Sequence, residues 1–236
     1  LYLDTKWTFL MIRNQPKALW FLILSYSMIL VFANWFEARL ILVGHFVTGG
    51  GTLIFPLTFL LADVLTEVYG YKQTRRAIWV GFLFNILFVA YGYLVTLMPG
   101  PDFYQNNTYF NEIVHIDARI MLASLISYLC AEPLNAILIA KLKVKTKGKY
   151  MAFRFVFSTI VASAVDSILF SALAFYNTMP LRKLINFIII LWLLKVVIEI
   201  ICLPFSVYFA KKLKKYEGLD IYDASTNFNL FSFDGL

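Results

Sequence analysis

The sequence predicts an all-α, polytopic integral membrane protein of six transmembrane helices with both termini cytoplasmic. Three observations lead there. Hydrophobic residues make up 61% of the chain and charged residues only 15%, with a mean hydropathy of +0.74; a soluble domain needs far more polar surface to meet water. The apolar residues gather into six runs, each matching the roughly 20 residues that cross a bilayer. The basic residues stand at the ends of those runs, where they act as topology signals. The net charge of +7 would otherwise suggest nucleic acid, but no basic surface domain accompanies it. No nucleic-acid partner is expected, and the lipid bilayer is the expected surrounding.

The first run extends from about Lys17 to Val43, behind a segment carrying Lys6 and Arg13. Ser27, Asn34 and Glu37 recur at spacings close to whole helical turns, so one side of this helix is polar. The chain opens at Leu1 without a signal-peptide layout, so a few residues are expected to be missing or trimmed. A loop with His45 and the triplet Gly49, Gly50, Gly51 leads to the second run, Thr52 to Tyr69. Pro56 falls in its first turn, where the amide hydrogens have no intrahelical partner, and the glycines permit a tight or re-entrant approach. Gly70 is a natural C-cap, followed by Lys72, Arg75 and Arg76.

The third run, about Ala77 to Leu97, carries Gly81, Asn85, Phe88 and Gly92 on one stripe, as close helix packing requires. The loop from Pro99 to Asp117 has Asp102, Glu112, His115 and Asp117 but no Lys or Arg, the composition of a non-cytoplasmic loop. Span four, about Ile116 to Leu142, aligns Ser124, Tyr128, Glu132 and Asn135 and ends in a lysine-rich turn. Span five, about Arg154 to Tyr176, places Thr159, Ser163, Asp166 and Ser167 on one side. Span six, about Leu184 to Ala210, aligns Trp192, Lys195, Glu199, Cys202 and Ser206, with Pro204 as a kink site. Residues 1–236 read as a single six-helix transmembrane domain, with 211–236 as a cytoplasmic tail. Cys130 and Cys202 lie in apolar runs and read as small buried hydrophobes.

Glu37, Asp63, Glu67, Glu132, Asp166, Lys195 and Glu199 all fall within spans. Ionisable groups in a membrane face a bundle interior or an aqueous cavity, so residues from at least five spans predict one shared polar cavity. Asp63 and Glu67 stand one turn apart, where like charges repel unless a cation, a donor-rich ligand or a proton intervenes. Glu67 also admits a position at the membrane surface, paired with Arg75 or Arg76, and Lys195 and Glu199 admit mutual neutralisation. A carboxylate in a dry pocket suits a cationic amine or the adjacent N–H donors of a guanine-like base. Asn34 and Asn135 would serve its remaining edges, and Phe55, Phe59, Tyr128, Phe170 or Trp192 its faces. No His pair with metal-ligand spacing, Gly-x-Ser-x-Gly turn or phosphate loop occurs in the sequence, so no catalytic residue, metal site or cofactor is expected.

The stretch FPLTFLLADVLTEVYGYKQTRR, Phe55 to Arg76, resembles the signature of the queuosine precursor transporters, also grouped as vitamin uptake transporters. Asn34, Arg119, the Glu132, Pro133 and Asn135 group, Ser163 with Asp166, Lys195 and the YDASTNFN tail extend the likeness over nearly the whole chain. The resemblance implies a multi-pass protein of the bacterial inner membrane that imports 7-deazaguanine bases: the cyano and aminomethyl precursors of queuosine (preQ0 and preQ1) or the free base queuine. Glu132 departs from the amide that some relatives carry there, which touches ligand choice or proton coupling. The expected substrate-binding set is Asn34, Asp63, Glu67, Glu132, Asn135, Ser163, Asp166 and Lys195. The alternatives are a substrate-binding subunit driven by a separate ATPase, as in energy-coupling-factor vitamin importers, and a membrane-embedded enzyme. A homodimer is compatible with this layout.

Overall fold

The computed structural model describes residues 16–37, 39–44, 46–101 and 104–232. Lys6, Arg13, His45 and Asp102, markers of topology or loops in the sequence, lie outside these residues. The first helix, α1, spans Leu19–Glu37. Phe21, Leu24, Met28, Phe32 and Phe36 point outward while Tyr26, Ser27, Leu30, Ala33 and Asn34 are buried. Apolar side chains outside and polar ones inside reverse the soluble pattern, as expected where the solvent is lipid.

The first run was expected to stay helical to Val43. Instead Leu40–Val43 (β1) pairs antiparallel with Phe46–Gly49 (β2), and Gly44, at φ 62°, turns the hairpin in the left-handed region. Leu40, Ile41, Leu42 and Val43 suit a short extended ribbon as well as a helix, and Glu37 ends α1 by bonding across to Thr52. A 3-10 turn, Gly50–Leu53, then leads into α2, Pro56–Tyr69. Fourteen residues reach only about 21 Å, so the 3-10 turn extends the second crossing.

That arrangement depends on backbone contact. A Cβ on Gly51 would run into the Ala33 carbonyl of α1, and one on Gly50 would stand 2.8 Å from the Phe36 carbonyl oxygen. Gly51→Ala is therefore expected to destabilise the protein by about 1–3 kcal/mol through overpacking, read as a lower unfolding temperature in detergent. An unchanged unfolding temperature would show that the turn yields freely.

Gly70, at φ 80°, separates α2 from α3, Tyr71–Thr96. The third helix thus starts ahead of the expected Ala77, and Lys72, Arg75 and Arg76 ride on its first turns. The fourth, α4, runs Asn106–Lys145 and absorbs Glu112 and His115 from the expected loop. Next come α5, Met151–Phe175, and α6, Leu181–Glu217, which continues through the Lys211 to Lys215 cluster expected in the tail. With the 3-10 turn and α2 taken together, six helical segments are long and apolar enough to cross a membrane. The protein is a multi-pass membrane protein.

Tyr26 of α1 donates to the Tyr128 hydroxyl (2.9 Å), and Tyr128 of α4 donates to the Ile78 carbonyl of α3 (2.9 Å), tying three helices through the buried core. The two ends of the described chain meet at the basic face. Glu217 accepts from the backbone amides of Lys17 (2.9 Å) and Ala18 (2.6 Å) and from the Tyr69 hydroxyl (2.8 Å). Beyond Gly218 the chain lies as a strap over this face. Asp223 caps the start of α3 by accepting the Tyr71 amide (3.0 Å), and Arg75 donates to the carbonyls of Asn227 (3.2 Å) and Asn229 (2.9 Å).

Candidate substrate pathway

The inward-facing polar side chains form three tiers along the bundle. The first, furthest from the basic face, surrounds a small cavity of about 20 Å³ walled by Asn34, Glu37, Thr52, Ser124, Asp166 and Lys195, with Phe55 and Phe170 beside them. Each polar wall group is placed by a neighbour. The Asn34 amide donates to Asn85 Oδ1 (2.6 Å) and accepts from Ser124 (2.5 Å), and Thr52 donates to the Glu37 carboxylate (3.0 Å). Lys195 of α6 pairs with Asp166 of α5, and its ammonium stands 4.6 Å from the Phe55 ring centroid. Lys195 is the only cation on this wall among the described residues. Its partner is Asp166, so the reading in which Lys195 and Glu199 neutralise each other does not hold.

The second tier lies deeper. Glu132 and Asn135 follow Ser124 along α4 by roughly 12 Å or more at 1.5 Å per residue, and Asp63 sits two turns into α2. The Asn135 amide donates to Asp63 Oδ1 (2.6 Å), and Thr58 donates to Glu132 Oε1 (3.2 Å). Asp63, Glu132 and Asn135 are fully buried, and Glu199 is 1% exposed. Asp63 Oδ2, Glu132 Oε2, Asn135 Oδ1 and both Glu199 oxygens have no hydrogen-bond partner among the described residues. This tier is rich in acceptors and short of donors.

The third tier closes the basic end. Glu67, fully buried, receives Arg154 through Nε (2.8 Å) and Nη2 (2.6 Å), pairs with Lys214, and has the Lys143 ammonium at 3.8 Å. Lys143 and Lys214 also grip Asp220 of the strap at 2.5 and 2.8 Å. One carboxylate thus gathers cations from α4, α5 and α6 onto α2. Asp220 lies beyond the last span. Burial pushes its carboxyl up, but hydrogen bonds and charge from Lys143 and Lys214 outweigh that and hold it below the usual carboxylate range. Its contribution to stability is therefore present at neutral pH and lost only as pH falls through that lowered value.

Residues 49–209 match the sequence model of the family described as "Putative vitamin uptake transporter". The chain belongs to the vitamin uptake transporter family. It is also similar to two proteins each named "Probable queuosine precursor transporter". The Bacillus subtilis protein is 28% identical over 166 residues, covering 69% of this chain and 71% of that relative. The Haemophilus influenzae protein is 28% identical over 131 residues, covering 54% of this chain and 52% of that relative. No solved structure matches. The family match takes in all of the second tier and most of the first, but Asn34 and Glu37 precede it and Lys214 and the strap follow it.

Against this frame the sequence-based set divides. Asn34, Asp166 and Lys195 reach the cavity wall, and Asp63, Glu132 and Asn135 form the second tier. Glu67 belongs to neither. It is not at the surface, and Arg75 and Arg76 are not its partners, because Arg76 donates to Gln73 (3.0 Å) and Arg75 to the strap. Ser163 is buried but spends its hydroxyl on the Thr159 carbonyl (2.5 Å) of its own helix. Of the aromatic candidates, only Phe55 and Phe170 border the cavity. Tyr128 is engaged with Tyr26 and Ile78, Trp192 donates to the Ile160 carbonyl (3.0 Å), and Phe59 packs in the core. Arg119 donates to the Leu173 (3.2 Å) and Tyr176 (2.9 Å) carbonyls and so caps α5, where a cation suits the helix C-terminus.

Nothing in the local sequence singles out Arg154, and Lys143 and Lys214 read there as topology signals alone. The available signal was position: all three sit where helices meet the basic face, within reach of the last turn of α2.

Proposed function

We propose that this protein imports queuosine precursors, 7-deazaguanine bases, across a bacterial inner membrane, and that its basic face, with both termini, is cytoplasmic. The observation that carries this reading is a small cavity walled by two carboxylates and an amide beside two phenylalanine rings, with further buried acceptors short of donors in the second tier. A guanine-like base offers adjacent N–H donors at N1 and the exocyclic amine. Carboxylates such as Asp63 and Asp166 accept those, and amides such as Asn34 and Asn135 can serve both donors and acceptors on the remaining edges. Phe55 offers a face for stacking. The names of the two similar proteins support this class of cargo.

The cavity in this conformation holds about one water molecule, against several hundred Å³ for ordinary ligand sites. A base therefore enters only when helices part. On the cytoplasmic side parting requires the Glu67 ion cluster and the strap to open, giving alternating access around a midplane site.

The test is ligand-dependent stabilisation of the purified protein. The cyano and aminomethyl deazaguanines, queuine, guanine and unrelated vitamins are compared by unfolding temperature. A true ligand adds RT ln(1 + [L]/Kd), about 2.7 kcal/mol at a hundredfold excess over Kd. Stabilisation by a deazaguanine, lost in Asp63→Asn, is expected. Stabilisation by a vitamin and by no deazaguanine would overturn the assignment.

A further inference from the structure

We infer that Glu199 is a proton-carrying group that couples base movement to a proton gradient, an inference that rests on the transport reading above. Every other described acid buried in the bundle has a partner: Glu37 has Thr52, Asp63 has Asn135, Glu67 has Arg154, Glu132 has Thr58 and Asp166 has Lys195. Glu199 is 1% exposed and neither of its carboxyl oxygens has a hydrogen-bond partner among the described residues. A dry interior tolerates such a group only when it carries a proton or meets a donor.

Among the described residues the surroundings supply no spare cation. The helix α2, which packs against α6, carries the acids Asp63 and Glu67 and no Lys or Arg. On α5 the ionisable side chains are Asp166 and Arg154, the first engaged by Lys195 and the second by Glu67. The strand β2 and the 3-10 turn contribute no ionisable side chain to their contacts with α6. On its own helix, Lys195 stands one turn before Glu199 with its ammonium already committed to Asp166.

A second observation points the same way. The carboxamide oxygen of Asn135, fully buried beside Asp63, is also without a donor. This tier is therefore short of hydrogens on several atoms at once. No three His, Cys, Asp or Glu side chains among the described residues are grouped so as to hold a metal ion. A proton meets the deficit with the smallest possible ligand.

The cycle balances simply. One Glu199 oxygen forms an O–H bond with a proton taken from the non-cytoplasmic side. That bond breaks toward the cytoplasmic side after the bundle has opened there, so one proton accompanies one base and no electrons change hands. Opening toward either face hydrates the tier and lets the proton exchange, whereas the closed conformation keeps it bound.

The full chain reconstituted in liposomes provides the test, with the labelled cyano-substituted deazaguanine as probe, because it is neutral and brings no charge of its own. With one proton per base, a gradient of about one pH unit, alkaline inside, supports accumulation of up to about tenfold. Wild-type protein is expected to approach that ratio. Glu199→Gln, which mimics the protonated acid, is expected to keep ligand-dependent stabilisation and exchange of internal for external base while losing accumulation.

Full accumulation by Glu199→Gln would overturn the proposal, as would accumulation driven by sodium and indifferent to pH. Loss of binding and exchange in Glu199→Gln would also overturn it, by placing the residue in the base site. Failure of the transport reading itself would look different: no deazaguanine would stabilise or exchange on the wild-type protein.

Discussion

Glu67→Ala is expected to cost about 3–5 kcal/mol of stability, the range found when one partner of a buried ion pair is removed. Among the described residues Glu67 is the only carboxylate on Arg154, which is fully buried, and it shares Lys214 and Lys143 with Asp220. Removing it strands a guanidinium in a dry contact and withdraws the anchor that draws α4, α5 and α6 onto α2. For a chain of this length the loss corresponds to a fall in unfolding temperature on the order of 10 °C, measurable by thermal unfolding in detergent. Two further variants separate stranded charge from lost packing. Glu67→Gln keeps the shape and one acceptor and is expected to fall between wild type and alanine. Glu67→Met with Arg154→Met replaces the pair by apolar volume and is expected to recover much of the loss, since a well-packed hydrophobic substitute is often as stable as a buried pair. A neutral result for Glu67→Ala would show that Arg154 finds water or another acceptor, and that the cluster does not hold the basic face shut.

The second large effect is expected at Lys195. Lys195→Met leaves Asp166 buried at 2% exposure beside Glu37 and the other acids and is again expected to cost about 3–5 kcal/mol. It also removes the one cation that the described residues place on the cavity wall, so ligand-dependent stabilisation is expected to disappear. The double variant Lys195→Met with Asp166→Asn distinguishes the two losses: stability is expected to return, because no charge is left unpaired, while ligand binding is not. Titration calorimetry on the double variant reads the second property independently of the first. An unchanged Kd in Lys195→Met would remove Lys195 from the site and leave it a purely structural partner of Asp166.

Both experiments bear on features that differ in how far the sequence disclosed them. The acid-rich interior was legible because each buried charge in an apolar run carries its cost wherever it sits, so Asp63, Glu132, Asp166 and Lys195 declared themselves one by one. Their alignment was legible too, since a helical period fixes which residues share a face. Partnership was not. Glu67 is separated from Arg154 by 87 residues and Asp166 from Lys195 by 29, and such pairs depend on how each helix is rotated and how deep it sits. Within one helix, Glu199 was the nearest partner for Lys195; across the bundle, Asp166 won.

The same distinction applies to the backbone. A run of apolar residues fixes that a segment is buried in lipid or protein, but Leu40 to Val43 suits a strand as well as a helix, and the hairpin forms because Gly44 can turn it and β2 can pair with it. The re-entrant approach suggested by Gly49 to Gly51 and Pro56 follows from local stereochemistry, whereas contact of Gly51 with the Ala33 carbonyl exists only once α1 lies alongside.

The sequence alone determined the solvent, the six crossings and the inward-facing acids, because hydropathy, charge cost and helical period belong to single residues and short windows. Tertiary structure alone decided that Glu67 gathers Arg154, Lys143 and Lys214 at the basic face, that Lys195 serves Asp166, and that Glu199 has no hydrogen-bond partner among the described residues. Those outcomes depend on distances of a few ångströms between helices, which no local window of sequence contains.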